Sequence, residues 1–538
     1  MNLISVEFLA FIAGLVILYF VLPKKCQWPL LLVASLVFYG MSDLKHIAFI
    51  LITATSTYFC AALTQKSHDE QKVYLKEHKA ELSKEDKKVY KDRMGGRRKL
   101  YVVLTLVLNF GMLCVFKYVD FLIEQVNSLI LGFGGGGAID TLGLVIPLGI
   151  SFYTFQTSGY ILDVYWKKYP AETNYLKVLL FTSFFPQITQ GPISNFKELA
   201  GELFTEHSFT YHNFSWGMQR MIWGFFKKMV VADTMALFVH DVFANYAGYS
   251  GVAALAGCFC YSIQIYADFS GYMDMMCGMC QIMGIKLTEN FERPYFSKSI
   301  AEYWRRWHMS LCTWFRTYMY YPIAVAKWNQ HLGRWCKNHL GPKVGKVCGN
   351  FMPATIALIV VWLATGLWHG ASWAYIAWGG VNGLFIILTL WLEKPFAAMK
   401  KACHINEESR LWQAFQTIRT FILVTFIKCL PEVGTLAAGV GLWKQVFTAW
   451  SIPHGLVDIF PLLATFSSTQ KMMFIAAILG TVLMFIVSMA QRKMPVRQRL
   501  EKVPIPLRAC IFAALVVLIV VCGVPASWGA GGFLYANF

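Results

Sequence analysis

Long apolar runs separated by short polar segments make up almost the whole chain. The first run, 4–22, is interrupted by Glu7 and is long enough to cross the hydrocarbon core of a bilayer. Several later runs are too short for a simple spanning helix, and irregular backbone at membrane depth needs protein or a water-filled cavity around it. The pattern predicts an all-α polytopic membrane protein with about twelve crossings and some re-entrant or interfacial helices. The runs lie at 4–22, 30–39, 47–63, 100–115, 142–162, 178–188, 218–238, 252–266, 356–367, 373–392, 418–430, 472–489 and 509–524.

Basic residues in the polar segments predict how these crossings are oriented. Lys24 and Lys25 follow the first run, and the charged segment 65–99 follows two further runs. Between the last two runs, six Lys and Arg residues stand against the single acid Glu501. Loops rich in Lys and Arg remain in the cytosol. We therefore expect a multi-pass protein of the cytoplasmic (inner) membrane with both termini extracytoplasmic.

The same pattern divides the chain into four parts. We predict N-terminal transmembrane helices at 1–64, a charged helical loop in the cytosol at 65–99, a core that carries the site at 100–400, and a transmembrane extension at 401–538.

Composition and charge support a membrane protein over a soluble one. Of the 538 residues, 57% are hydrophobic and 14% are charged, which is too few to cover soluble domains in water. The net charge of +18 would suggest nucleic acid in a soluble protein. Here the basic residues lie between apolar runs, so we interpret them as positive-inside loops and expect membrane lipid, not nucleic acid, as the surrounding partner.

Polar residues inside apolar segments are expensive and usually functional. His369 lies between two apolar runs, with glycines and tryptophans beside it, where loss of water favours the neutral imidazole that can act as a general base. The alternative is a buried histidine that joins two helices by a hydrogen bond. Asp268 and Asp274 also lie in apolar surroundings, and we expect them to pair with nearby arginines or with backbone donors.

A second histidine, His308, follows a basic pair on a predicted interfacial helix. Arg305, Arg306 and Arg316 could hold the phosphates of a nucleotide-bearing donor such as coenzyme A. Equally, they could be interfacial anchors that contact lipid phosphate. The residues alone leave both interpretations open.

Six motifs resemble those of the membrane-bound O-acyltransferases, above all the membrane subunits of alginate O-acetyltransferases. The resemblance is specific over 147–383. Its motifs lie at 147–156, at 185–187 with 191–193, at 266–274, at 289–291 with 293–295, at 304–311 and at 366–373.

The resemblance implies a helical bundle with a central funnel or tunnel. His369 matches the essential histidine of the family, and His308 matches its second characteristic polar position. A cytosolic acyl thioester, acetyl-CoA or an acyl carrier, would supply an acyl group, most simply acetyl, to an extracytoplasmic polysaccharide through an exported SGNH-type acyltransferase partner. No metal and no permanently bound cofactor is expected. Relatives often carry a second histidine where this chain has Asn382, which leaves His369 as the main candidate.

The C-terminal tail adds a third candidate. Residues 533–538 resemble an aromatic tail of related proteins, and Tyr535 would be an acyl acceptor in a covalent relay; an interfacial aromatic anchor is the alternative. Two other functions stay open: D-alanyl transfer to teichoic acid, and transport of a lipid-linked sugar.

Overall fold

The computed structural model describes residues 3–134, 137–492, 494–524 and 532. Within these ranges the regular structure is helical, with one isolated antiparallel bridge between Phe291 and Trp307. The first ten α-helices are α1 (Val6–Val21), α2 (Gln27–Asp43), α3 (Ile47–Glu77), α4 (Lys84–Gly132), α5 (Ile150–Tyr165), α6 (Tyr175–Ser183), α7 (Phe185–Ile188), α8 (Phe196–Leu203), α9 (Tyr211–Phe225) and α10 (Asp233–Ala244).

A π-helical stretch, Phe226–Ala232, joins α9 to α10. The later α-helices are α11 (Gly251–Ile282), α12 (Ile300–Arg306), α13 (Met309–Phe315), α14 (Tyr321–Ala324), α15 (Lys327–His339), α16 (Lys346–His369), α17 (Trp373–Trp391), α18 (Glu393–Ala402), α19 (Arg410–Glu432), α20 (Leu436–Thr448), α21 (Leu456–Ile459), α22 (Ser468–Ala490), α23 (Val496–Glu501) and α24 (Ile505–Cys522).

Eight helical stretches among the described residues are long and apolar enough to cross a membrane. The prediction of an all-α, multi-pass membrane protein is therefore confirmed. These stretches are Lys24–Glu77, Lys84–Gly132, Gly251–Ile282, Gly341–His369, Trp373–Trp391, Arg410–Glu432, Ser468–Ala490 and Ile505–Cys522.

The chain forms two compact units. The first contains Leu3–Phe214 and Cys280–Leu287, and the second contains Ser215–Met279 and the described residues from Thr288 onward. The charged segment 65–99 belongs to the first unit, where it forms the polar ends of α3 and α4 and the turn between them.

The first unit is built around α5, whose residues from Ile150 to Ile161 are all buried. Asn109 of α4 ties this helix into the core, because its amide donates to the hydroxyls of Thr57 (3.2 Å) and Thr157 (3.3 Å). Gly149 precedes α5 with φ 71°, and a Cβ there would lie 2.1 Å from the carbonyl oxygen of Ile188. Only glycine combines that left-handed backbone with so close an approach. Two of the motifs therefore meet by backbone packing.

In the second unit, α9 and α11 pack backbone to backbone. A Cβ on Gly224 would lie 2.6 Å from the carbonyl oxygen of Gly271, and a Cβ on Gly278 would lie 2.6 Å from that of Gly217. Small residues allow such close helix contact inside a membrane. The contact brings the polar side chains of α9 and the following π-helical stretch directly against the two aspartates of α11.

Three expectations about helices are wrong in detail. The run 142–162 becomes helical only from Ile150, and the run 252–266 is part of the longer α11, which continues through Asp268 and Asp274. His308 does not lie within a helix: α12 ends at Arg306 and α13 begins at Met309. Asp268 and Asp274 can remain inside an apolar helix because both have cationic partners.

Candidate active site

The turn between α16 and α17 positions His369. The last helical residue of α16 is His369; Gly370 then turns extended, and the Ser372 hydroxyl caps α17 by accepting from the Tyr375 amide at 3.3 Å. A Cβ on Gly366 would lie 2.4 Å from the Tyr375 carbonyl oxygen. The two helices therefore touch at backbone distance, and the imidazole is held at the tip of a close-packed helical pair.

Aromatic rings surround the His369 imidazole. The side chain is 4% exposed, and its ring lies 4.9 Å from that of Trp368 and 4.8 Å from that of Trp378, centroid to centroid, both nearly perpendicular. The Tyr375 ring stacks on it at 6.4 Å. These contacts exclude bulk water, which favours the neutral imidazole needed for a general base. The desolvated environment predicted from the sequence is present.

His308 is held by a strained backbone. Its φ and ψ of 45° and 53° lie in the left-handed region, which a non-glycine residue adopts at a cost of about 1–3 kcal/mol. Asn290 secures this conformation: its carbonyl accepts from the Met309 amide at 3.1 Å, and its side-chain oxygen accepts from the Ser310 amide at 3.0 Å. Strain of this kind persists where surrounding contacts fix it, often at functional sites.

The rings of His308 and His369 both pack against the ring of Trp368. The His308 ring is 6.3 Å from the Trp368 ring, which in turn is 4.9 Å from the His369 ring. Phe269 packs perpendicular to His308 at 4.9 Å. Burial lowers the pKa of His308 to about 3, so this imidazole is neutral at physiological pH. The structure thus brings the two predicted histidines into one buried, aromatic site.

Asn382 has a structural partner in this site. Its side-chain oxygen accepts from the Trp304 indole N–H at 3.0 Å, and its amide donates to the Trp378 carbonyl at 2.9 Å. Asn382 therefore holds the Trp304 indole through a side-chain hydrogen bond, while its amide binds the backbone of its own helix.

The three predicted donor-binding arginines lie on α12 and just after α13. Arg306 forms an ion pair with Glu302 at 2.7 Å, whereas Arg305 and Arg316 are exposed. The exposed pair is available to an anionic group, and Arg306 is already engaged.

Asp268 and Asp274 belong to a largely buried group of charged side chains, which we call the charge cluster; the sequence analysis missed its cations, and its member Glu289 is exposed. It consists of three cations (Arg220, Lys227, Lys228) and four carboxylates (Asp233, Asp268, Asp274, Glu289). Asp274 accepts from Arg220 at 2.8 Å and pairs with Lys227 at 2.6 Å, while Lys228 pairs with Asp233 and Asp268 at 2.7 Å each. The aspartates were expected to pair with arginines or with backbone donors; Asp274 does pair with an arginine, but it is Arg220 and not Arg305, Arg306 or Arg316, and Asp268 pairs with Lys228. Three cations inside the run 218–238 were the signal for their true partners.

The charge cluster also contacts the backbone of Gly532. Lys228 donates to the carbonyl of Gly532 at 2.8 Å, in addition to its two carboxylate partners. Tyr535, three residues further along the sequence, lies outside the described residues.

Replacing Asp274 with asparagine is expected to destabilise the protein by about 3–5 kcal/mol, because the buried Lys227 loses its carboxylate partner and Arg220 keeps only that of Glu289. Thermal unfolding in detergent measures the loss. The matched control is Glu302→Gln, which removes the carboxylate of the partly exposed pair with Arg306 and should cost at most about 1 kcal/mol. Equal losses of thermal stability in the two variants would contradict the importance of the Asp274 carboxylate in the charge cluster.

Comparison with known proteins supports the interpretation of the motifs. The profile of the MBOAT, membrane-bound O-acyltransferase family, matches residues 170–327. A probable alginate O-acetylase of Pseudomonas aeruginosa is 33% identical over 348 residues, which cover 65% of this chain and 60% of that protein. The chain is thus similar to the membrane-bound O-acyltransferases over residues 170–327 and to an alginate O-acetylase over a longer stretch. It spans about three fifths of the length of this alginate O-acetylase.

Relatives with other substrates in their names also match this chain. A peptidoglycan O-acetyltransferase of Helicobacter pylori is 28% identical over 400 residues, covering 68% of this chain and 66% of that protein. A teichoic acid D-alanyltransferase of Bacillus subtilis is 26% identical over 255 residues, covering 47% of this chain and 60% of that protein. The names of these relatives therefore differ in the acyl group and in the acceptor.

Proposed function

We propose that the chain is a membrane O-acyltransferase, which passes an acyl group, most simply acetyl, from a cytosolic thioester towards an extracytoplasmic polysaccharide. The observation that carries this proposal is the placement of His308 and His369 against one buried neighbour, Trp368. Two neutral imidazoles in a site without bulk water suit acyl transfer between a thioester and a hydroxyl.

The two histidines have different roles in this reaction. His369 accepts the proton of the attacking hydroxyl as its oxygen bonds to the thioester carbonyl carbon. His308 donates a hydrogen bond to the carbonyl oxygen, which gains negative charge in the transition state. When the carbon–sulfur bond breaks, His369 returns the proton to the leaving thiolate. The products are an ester and a free thiol.

The donor is proposed to be acetyl-CoA or an acyl carrier that approaches from the cytosol. Arg305 and Arg316, both exposed, would contact the donor's phosphates, and Arg306 would contribute once released from Glu302. The alternative function of these side chains is anchoring to lipid phosphate.

Exchanging both Arg305 and Arg316 for alanine is expected to raise the KM for acetyl-CoA up to about tenfold, with kcat nearly unchanged. Steady-state transfer from radiolabelled acetyl-CoA in membrane vesicles provides both constants. Arg334→Ala, at another exposed arginine, is the control. A KM equal to that of the control would identify the two arginines as interfacial anchors.

The proposed topology has about twelve crossings around a central funnel or tunnel, with both termini extracytoplasmic. Among the described residues, the eight long apolar stretches, the shorter apolar helix α1 and the division of one stretch into α2 and α3 account for ten of these crossings. In this orientation the tail with Tyr535 faces the outer side. There Tyr535 would carry the acyl group as a phenyl ester until an exported SGNH-type acyltransferase collects it.

The test compares base-labile acyl groups on the envelope polymers of cells that produce the native protein and cells that lack it. Released acetate that depends on the protein supports the proposal. Release of D-alanine instead would identify the transferred group as D-alanyl, as in the names of the teichoic acid relatives. If no acyl group changes, the proposal is contradicted, and transport of a lipid-linked sugar becomes the better explanation of the same membrane fold.

A further inference from the structure

A lysine of the C-terminal extension lies among aromatic rings next to the site. Lys428 of α19 is 5% exposed, and its ammonium nitrogen lies 3.7 Å from the centre of the Trp307 ring. The rings of Tyr295 and Tyr303 are at 4.8 and 5.1 Å, and the Tyr295 hydroxyl accepts a hydrogen bond from Lys428 at 2.9 Å. We call these three rings the aromatic box. Ammonium groups bind to tryptophan faces at this distance, and removal from water strengthens the interaction.

The chemistry of Lys428 is unusual for a buried lysine. Its hydrogen bond goes to a phenol and not to a carboxylate, although Glu432 lies one helical turn further along α19. Glu432 instead accepts from the hydroxyl of Tyr261 at 2.8 Å. Burying an ammonium group is expensive in a membrane-spanning segment, where leucine or methionine would fill the volume at no such cost. A residue retained at this cost is a candidate for function.

The aromatic box leads directly to His308. Trp307 directly precedes His308 and is 1% exposed. Because its ring is held by packing, it also fixes the peptide bond that joins it to His308, the residue with left-handed backbone angles. Its amide donates to the Tyr303 carbonyl at 2.9 Å, and its backbone pairs with Phe291. Lys428 covers the Trp307 face from α19. A shift of this indole therefore changes the direction of the His308 imidazole.

The box is also tied to the helix that carries Phe269. The Tyr295 hydroxyl, which accepts from Lys428, donates to the carbonyl of Ser262 on α11 at 2.5 Å. Phe269 of the same helix packs perpendicular to the His308 ring at 4.9 Å. Lys428 thus joins α19 to the two elements that contact His308. These are Trp307, which precedes it, and α11, whose Phe269 packs on its imidazole.

We propose that Lys428 is a positioning residue for acyl transfer, which acts by holding Trp307 so that His308 points at the thioester carbonyl. This inference rests on the proposed function, because it assigns to Lys428 a role in the same site. Displacing a catalytic group by about 1 Å can lower the rate a hundredfold without loss of substrate binding. Loss of Lys428 should therefore appear in kcat and not in KM.

The experiment measures kcat and KM for radiolabelled acetyl-CoA in membrane vesicles, with thermal stability in detergent as a parallel readout. Lys428→Met keeps the length and removes the ammonium group; we expect kcat to fall about tenfold to a hundredfold with KM nearly constant. Lys428→Arg, which can still stack on an indole, should keep most of the activity. Lys444→Met, at an exposed lysine of α20, is the matched control and should equal the native protein.

A double-mutant cycle with Trp307→Phe tests whether Lys428 affects kcat through Trp307. If Lys428 acts through Trp307, its loss should cost much less kcat in the Trp307→Phe background than in the native one. Additive losses, or a Lys428→Met variant with native kcat, would overturn the inference while leaving the proposed function intact. If Lys428→Met does not accumulate, Tyr295→Phe removes only the acceptor hydroxyl, and an unchanged kcat in that variant would overturn it too. A native protein that transfers no label would contradict the proposed function first.

Discussion

Replacing His369 with alanine is expected to abolish acyl transfer while the protein accumulates normally in the membrane. The loss should be about 10²–10⁴-fold, which is the usual contribution of a general base. The imidazole sits at the tip of the α16–α17 pair among Trp368, Trp378 and Tyr375, where few water molecules can replace it as a base. The measurement is the release of base-labile acyl groups from envelope polymers, normalised to the amount of protein in the membrane.

Two further variants separate catalysis from structure at His369. His331→Ala removes an exposed histidine of the same unit and should transfer at the native rate. His369→Gln retains a hydrogen-bonding side chain of similar length but cannot accept the proton at neutral pH. A histidine that only joins two helices would be rescued by glutamine and would lose stability as alanine. Rescue of transfer by His369→Gln is therefore the outcome that contradicts its role as a base.

The sequence indicates which histidines belong to the candidate site, but not the contacts or backbone conformation that position them. His308 and His369 were found because each lies in a motif and in apolar surroundings, and both are buried in one place. Their common contact with Trp368 depends on how α16 and α17 close at Gly366, which no periodicity encodes. The left-handed backbone of His308 was equally hidden, because glycine and asparagine signal that conformation and histidine does not.

Buried cations were missed for a related reason. Lys227 and Lys228 are adjacent in the sequence and yet both buried, because the π-helical stretch directs one to Asp274 and the other to Asp268. An ordinary helical pattern treats adjacent residues as belonging to different positions around the helix, so the run 218–238 was interpreted by its apolar members alone. Lys428 was hidden in the same way within the run 418–430. An ionisable residue inside a run is more informative than the run itself.

One turn of α11 contacts both the charge cluster and the candidate active site. Asp268 and Phe269 are neighbours on α11: the first pairs with Lys228, which holds the Gly532 carbonyl, and the second packs on His308. His308, proposed to polarise the thioester, is thus linked through α11 to Lys228 and the Gly532 carbonyl. The proposed relay requires Tyr535, three residues after Gly532 in the sequence, to reach the same thioester.

Replacing Tyr535 with phenylalanine is accordingly expected to abolish acylation of the polymer. In the relay, the phenol oxygen bonds to the acyl carbon, its proton passes through His369 to the thiolate, and the carbon–sulfur bond breaks. Phenylalanine keeps the aromatic ring and removes the only nucleophilic atom of the side chain. The base-labile acyl groups on the polymer should fall to the level of cells that lack the protein, while the amount of protein in the membrane stays constant.

The covalent relay also predicts an acylated intermediate, which an interfacial anchor at Tyr535 would not form. In the native protein, the C-terminal peptide should carry a base-labile acyl group by mass spectrometry after incubation with acetyl-CoA, and the group should be absent in His369→Ala. Tyr211→Phe, at an exposed tyrosine of the first unit, serves as the control and should retain both signals. Transfer that persists in Tyr535→Phe means that the hydroxyl of the acceptor attacks the thioester itself, with His369 as its base and the tail as an anchor.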